Sequence, residues 1–444
     1  MRSTYARAAL AALIAVLFAC ADGPEDRQAT ISIADSTAVS DAAPYWTDEP
    51  ALSMEDLERG RHDSTWLRAA VSDTMPLELA PLGSMARLDT LDVEALPDPE
   101  HASRAPFEMT TAFPETYDDL DDVAAVGDSL PAVMLPIGGS AQGPSVLYVQ
   151  VLLDRSPFSP GIIDGKWGKN SSKAVWWLQR AEGLEPTGEV DSLTFARLVA
   201  LVGDPEPYVQ TVRLEASDVA GPFVEIPADV HAQAELDCMC YRSALEQVAE
   251  RYHAAPELLE RLNPGRALDS LLAGDSLRVP DVDALADAHP AADGGPMASR
   301  LVVSIDGFYV HALDETGRLL YHFPATLGSK YQPSPGGAFE IASVTFDPWF
   351  HWQPALFDEV PDTEPDARIP PGPNSPVGIV WMALSKDNYG IHGTSEPATI
   401  GYATSHGCVR LTNWDARFLA ERVEAGVPVV FRDLHAEEAV ATAR

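Results

Sequence analysis

The sequence is poor in basic residues, in cysteine and in long apolar runs. Thirty Lys and Arg stand against 67 Asp and Glu, a formal net charge of −37. So acidic a chain repels phosphate backbones and anionic lipid faces, which argues against nucleic-acid binding and against electrostatic attachment to a membrane. The excess reads as solubility and spacer composition rather than as a site for a special partner. Only four cysteines occur, Cys20, Cys238, Cys240 and Cys408, and the closely spaced pair is too small a donor set for a closed zinc site. The acidic runs at 94–100 and 118–122 lack metal-loop spacing. No metal or organic cofactor is implied. The apolar run at residues 8–19 is too short to span a bilayer.

That short run has a different use. Arg2 and Arg7 precede it and small residues close it before Cys20, the pattern of an export signal over residues 1–19. Leu17-Phe18-Ala19-Cys20 resembles a bacterial lipobox, which implies that Cys20 becomes the lipidated first residue of the mature chain and tethers it to a membrane. By the same resemblance, Ala21 after Cys20 points to the outer membrane and a periplasmic location. Residues 20–143 are rich in Asp, Glu, Pro, Ala and Ser without sustained periodicity, apart from a candidate short helix at 54–70. This predicts a largely disordered spacer, of use to an anchored protein that must reach a polymer some distance away.

The chemistry concentrates in residues 391–415, IHGTSEPATIGYATSHGCVRLTNWD, where His392 stands sixteen positions ahead of Cys408. A thiol with a pKa of about 8.5 is only slightly ionised at neutral pH, so Cys408 needs a base before it can attack a carbonyl. An imidazole takes the proton and, as imidazolium, lowers the thiol pKa, while backbone N–H groups hold the oxyanion. His392 and His406 are both candidates. His406 would share a face with Cys408 on an extended strand, whereas His392 must reach it by chain reversal. Gly393 and Gly407 allow close backbone approach.

This stretch resembles the signature of the L,D-transpeptidases, the YkuD-type catalytic domain, through His392-Gly393-Thr394, Ile400-Gly401, Ser405-His406-Gly407-Cys408-Val409-Arg410-Leu411, Asn413 and Asp415. The likeness continues through 334–341 and 370–378 and covers residues 298–434. It implies a peptidoglycan L,D-transpeptidase in which Cys408 is the acylated nucleophile, His392 the proton donor and acceptor, and the Gly393 carbonyl the group that orients His392. Ser405, His406, Gly407 and Arg410 are implied to shape the oxyanion and substrate region. One departure, Ser334-Pro335-Gly336-Gly337-Ala338-Phe339 in place of T-P-x-G-x-[FY], touches the scaffold. The implied reaction attacks the third-residue carbonyl of a tetrapeptide stem, releases D-alanine and passes the acyl group to an amine of a second stem, a 3→3 cross-link. A protein lysine or water could serve as acceptor instead, giving protein attachment or release, or an L,D-carboxypeptidase. A different class, a non-catalytic wall-anchoring lipoprotein, is the rival.

Residues 144–205 read as three short helices around an Ile163-Asp164-Gly165 turn and resemble a peptidoglycan-binding type 1 domain. Trp176 and Trp177 taken singly are core residues; the set of matches favours wall binding. Residues 208–285 show helices at 243–253 and 256–262, an Asn-Pro-Gly turn and a strand at 277–279, and resemble a LysM-type module that binds glycan strands or packs on the catalytic domain. With Cys20 lipidated and Cys408 a thiol, Cys238 and Cys240 bond to each other in a small ring or stay reduced. In residues 298–434, strands at 301–305, 308–313, 319–326 and 338–344 and an amphipathic helix at 413–425, with Asn413 as N-cap, predict a sandwich-like domain. Residues 346–366 read as an irregular lid packed by Trp349, Phe350 and Trp352. The expected architecture is multidomain α+β: a mainly-β, sandwich-like catalytic domain preceded by a small three-helix domain and a small α/β module.

Overall fold

The computed structural model describes residues 120–125, 133–203, 208–282, 295–329, 332–354, 361 and 363–432. The export signal, Cys20, the helix expected at 54–70 and most of the acidic spacer lie outside them. Among the described residues no helix is long and apolar enough to cross a membrane.

The helical unit contains α1 (Pro144–Asp154), α2 (Lys169–Ala181) and α3 (Ser192–Val202). Pro144 opens α1, where its missing N–H costs nothing. Asp191 caps α3 as expected, accepting from the Thr194 N–H at 2.8 Å. Helix α1 is apolar on nearly every side and is accordingly enclosed, with Val146, Leu147, Val149 and Val151 fully buried. Gln150 in its middle accepts from the Gly165 N–H at 2.8 Å and donates to Asp164 at 2.9 Å, which shapes the 163–168 turn.

Next come β1 (Val209–Arg213), α4 (Ala216–Val219), α5 (Val230–Ala234), α6 (Ala244–Arg251), α7 (Pro256–Leu262) and β2 (Ser276–Pro280). The two strands pair antiparallel, Val209 opposite Pro280 and Arg213 opposite Ser276. Asn263, in the Asn-Pro-Gly turn, donates to the Leu259 carbonyl and accepts from the Arg278 N–H, both at 2.8 Å, so it ties the end of α7 to β2. Cys238 and Cys240 are disulfide-bonded to each other, and Cys408 is the free cysteine among the described residues.

The catalytic domain comprises β3 (Arg300–Ser304), β4 (Tyr309–Leu313), β5 (Leu319–Pro324), β6 (Gly337–Phe346), β7 (Phe350–Trp352), β8 (Ala367–Ile369), β9 (Val380–Leu384), β10 (Gly390–His392), β11 (Val409–Arg410), α8 (Asn413–Ala420) and β12 (Pro428–Arg432). Eight of these strands form one sheet, in the order β11-β10-β9-β6-β12-β3-β4-β5. The sandwich-like character comes from this single sheet curling until its ends meet. Thr326, just past β5, exchanges two backbone hydrogen bonds of 2.9 Å with Arg410 of β11. Closure leaves fewer unpaired edge groups and brings β11 over the end of β5.

Two details differ from the sequence expectation. The segment at 346–366 is not irregular at its ends: β7 and β8 form a ladder from Phe350 opposite Ile369 to Trp352 opposite Ala367. Phe350 and Trp352 are buried there, whereas Trp349 is exposed and lies against the Arg368 guanidinium. Helix α8 ends at Ala420 and is capped by Thr412, whose hydroxyl accepts from the Asp415 N–H at 3.1 Å; Asn413 is not its cap.

The three parts interlock around one hydrophobic core. Residues 157–159 bond to the backbone of β5, through Ser159 N–H to the His322 carbonyl at 3.0 Å and His322 N–H to the Pro157 carbonyl at 2.9 Å. Lys173 of α2 donates to the Gly307 and Phe308 carbonyls, both at 3.2 Å, and burial pushes its ammonium down to about 7. Trp176 and Trp177 are each only 2% exposed, and Trp177 stands edge-on to His311 at 4.4 Å and to Tyr309 at 5.4 Å. Trp177 therefore packs at the joint, and Trp176 is buried edge-on against it at 4.7 Å. The region at 208–282 also packs on its neighbours: the Ile163 N–H donates to the His253 carbonyl at 2.8 Å, and the Asn374 N–H to the Met239 carbonyl at 2.9 Å.

Trp177→Ala would leave a large void at this joint and cost about 3–5 kcal/mol. Urea denaturation should show that loss in one cooperative transition. A cost below about 1 kcal/mol, or separate transitions for helical unit and sheet, would contradict a shared core.

Candidate active site

Strands β10 and β11 run parallel, with Ile391 opposite Val409 and His392 opposite Arg410. On the other side of β10, Trp381 lies opposite His392. Strand alternation therefore sends His392, Arg410 and Cys408, which enters β11 two residues before Arg410, toward one face. Trp381 joins them, its ring 5.4 Å from that of His392. Cys408 is 4% exposed and His392 fully buried. The thiol belongs to an apolar cluster with Met239, Phe350, Trp352, Val377 and Trp381, and it donates to the Asn388 carbonyl at 3.9 Å.

His392 Nδ1 lies 2.7 Å from the carbonyl oxygen of Gly393. A carbonyl can only accept, so Nδ1 carries the hydrogen and Nε2 presents a lone pair. Nε2 is buried without a hydrogen-bond partner among the described residues. Burial first, and then the nearby Arg410 cation, pushes the imidazole down to about 3. Burial pushes the Cys408 thiol up to about 12, against the opposing pull of the Gly390 backbone and Arg410. Both shifts favour a neutral thiol and a neutral imidazole at rest. An apolar enclosure penalises both charges.

Arg410 is half-buried, and its Nε has no hydrogen-bond partner among the described residues. Its guanidinium is a fixed positive charge beside the sulfur, able to favour a thiolate or an oxyanion there.

His406 does not share a strand face with Cys408. Gly407 has a φ of 115°, which breaks the extended run, and His406 is partly exposed. Of the two candidates, His392 is the fully buried imidazole.

Ser405 is hydrogen-bonded within the loop that carries Cys408. Its hydroxyl donates to the Cys408 carbonyl at 2.6 Å and accepts from the Gly407 N–H at 3.1 Å. The Gly407 N–H is therefore engaged, and its carbonyl accepts from Ser334 at 2.9 Å. Ser334, part of the departure at 334–339, also accepts from the Gly328 N–H at 2.9 Å, so it fastens the loop to the chain leaving β5. A side chain at Gly407 would press on the Tyr389 ring.

Asn413 holds the histidine loop. Its side-chain oxygen accepts from the Thr394 N–H at 3.1 Å and the Ile379 N–H at 3.3 Å. A Cβ at Gly393 or Gly378 would collide with that oxygen, so both glycines are required by close approach. Sequence reasoning missed Trp381, Asn388 and Met239 as neighbours of the reacting pair. Alternation within 380–384 could have found Trp381; Asn388 and Met239 carry no sequence signal.

A family model described as the L,D-transpeptidase catalytic domain, YkuD, matches residues 298–431, and a peptidoglycan binding domain model matches residues 142–198. A Bacillus licheniformis protein named as an L,D-transpeptidase, YkuD, is 30% identical over 185 residues, which is 42% of this chain and 91% of that protein. Its Bacillus subtilis namesake is 28% identical over 185 residues, again 42% of this chain and 91% of that protein. With a likeness that spans nearly the whole of these relatives and a site built on the same stretch of sequence, this chain belongs to the L,D-transpeptidase family.

Proposed function

We propose that the protein is an exported peptidoglycan L,D-transpeptidase with Cys408 as nucleophile and His392 as proton carrier. The observation that carries this is the His392 Nδ1–H bond to Gly393, which leaves Nε2 as an open acceptor on the face occupied by Cys408. Cys408 attacks the third-residue carbonyl of a tetrapeptide stem while Nε2 takes the thiol proton. The tetrahedral oxyanion forms near the Arg410 guanidinium. An imidazolium is disfavoured in this enclosure, so the proton passes quickly to the departing D-alanine amine as the C–N bond breaks. The thioester is then attacked by an amine of a second stem; His392 accepts the amine proton and returns it to the sulfur, which restores the thiol. In this scheme His406 borders the site, while Ser405 and Gly407 hold the loop that aims Cys408.

A tethered position suits such an enzyme. Lipid on Cys20, insertion in the outer membrane and a spacer reaching to the wall place the catalytic body in the periplasm beside its polymer. The helical unit and the region at 208–282 would contact glycan strands through faces other than the buried Trp176 and Trp177. An amine acceptor yields a 3→3 cross-link, water a tripeptide, and a protein lysine a covalent attachment.

Tetrapeptide muropeptides incubated with residues 21–444, and analysed by mass spectrometry, should give a cross-linked dimer lacking one D-alanine. Cys408→Ala should give none. Tripeptide alone would identify a carboxypeptidase, and no product under reducing conditions would leave a protein acceptor or a purely anchoring role.

The neutral resting pair makes a second prediction. Iodoacetamide should label Cys408 at a rate that climbs about tenfold per pH unit from about pH 6 to 10, because only the thiolate reacts and its fraction keeps rising. A plateau near neutrality would mean a preformed thiolate.

A further inference from the structure

Asn413 is the hinge pin between His392 and a residue 163 positions earlier in the chain. Its oxygen faces Thr394 and Ile379, so its NH2 group must face acceptors. One is the Pro373 carbonyl at 3.2 Å. The other is Glu250 Oε1 at 2.9 Å, on helix α6 of the region preceding the catalytic domain. Glu250 is 7% exposed, and the same oxygen accepts from the Tyr241 hydroxyl at 3.2 Å. An Asn side chain can satisfy this cage in one orientation only: reversed, its oxygen would face the Glu250 and Pro373 oxygens and its NH2 the backbone N–H groups.

We propose that Glu250 is a positioning residue of the active site, which sets the orientation of Asn413 and through it the Gly393 carbonyl that holds the His392 tautomer. The chain of contacts is continuous: Glu250 to Asn413, Asn413 to the Thr394 N–H, and the Gly393–Thr394 peptide to His392 Nδ1. Glu250 touches neither the sulfur nor the imidazole. Burial raises its carboxyl to about 8, so near neutrality it is mostly the protonated acid. The acid keeps one carbonyl-type oxygen as an acceptor, a role that a glutamine amide oxygen can also fill. The region at 208–282 thereby becomes a structural part of the catalytic centre, whatever glycan it also meets. Nearby contacts act in the same direction: Asn374 donates to the Cys240 carbonyl at 2.9 Å, and Arg242 to Asn374 at 2.7 Å, which fixes the loop carrying Pro373.

This inference rests on His392 being the proton carrier, and the test separates the two. The mature chain is compared as wild type, Glu250→Gln and Glu250→Ala, each checked for folding by circular dichroism and thermal denaturation. Two quantities are read: solvent exchange of the His392 Nδ1–H by NMR, and kcat and KM for the stem-peptide reaction. Glu250→Ala should speed the exchange about tenfold or more and lower kcat about 10–100-fold with KM within twofold, as loss of a supporting hydrogen bond does. Glu250→Gln should stay within about threefold of wild type in both. Wild-type exchange in Glu250→Ala, or equal impairment of the Ala and Gln variants, would overturn the proposal. If Glu250→Ala does not fold, Glu250→Met keeps the volume without the acceptor and is read in the same way. Should the wild type show no acyl transfer at all, the functional reading fails while the exchange measurement still decides the role of Glu250.

Discussion

The hydrogen bond from His392 Nδ1 to the Gly393 carbonyl is the constraint on which the rest of the site depends. It decides which ring nitrogen is open, and the neighbouring structure serves to keep it made. A histidine bonded to the carbonyl of the next residue needs a sharply held backbone, and Asn413 supplies the hold by filling the space above Gly393 and Gly378. The nucleophile loop is held comparably from the other side, by Ser405 within it and Ser334 across it. Curling of the sheet brings the two loops together, since the bonds between Thr326 and Arg410 fix β11 at the point where Cys408 enters it.

Burial shapes the chemistry more than any ion pair does. A charged thiolate or imidazolium in this apolar enclosure costs more than either neutral form, so the resting site stores a thiol and an acceptor nitrogen rather than a charge pair. Arg410 is the standing charge, and it acts unequally, helping a negative sulfur or oxyanion and opposing a positive imidazole. Such a site avoids a permanently reactive thiolate, which a second thiol or an oxidant would find. The disulfide between Cys238 and Cys240 removes the two other described cysteines from that hazard.

Much of this was legible in the sequence, for identifiable reasons. Asp191 caps its helix because a short side chain three residues ahead of an orphan N–H has little else to do. The catalytic strands announced themselves by alternation, and His392 and Cys408 by a long specific motif. What was hidden depended on contacts distant in sequence. Asn413 has the chemistry of an N-cap, yet Thr412 takes that place and frees the amide for the Thr394 and Ile379 N–H groups. His406 would align with Cys408 on a strand, but Gly407 turns the chain. Trp177 looks alike as a wall contact and as core, and only its packing on Tyr309 and His311 separates those uses. Glu250 sits in a helix that reads as an ordinary amphipathic element, and nothing local marks it as a support for residues in another part of the chain.

The measurement that bears most directly on this picture is histidine-selective 15N NMR of the mature protein, titrated from about pH 5 to 8, the range in which an ordinary histidine changes charge. His392 should remain the neutral, Nδ1-protonated tautomer throughout, unaffected by Cys408→Ser. An imidazolium at neutral pH that is lost in Cys408→Ser would mean a resting thiolate–imidazolium pair and would contradict the account.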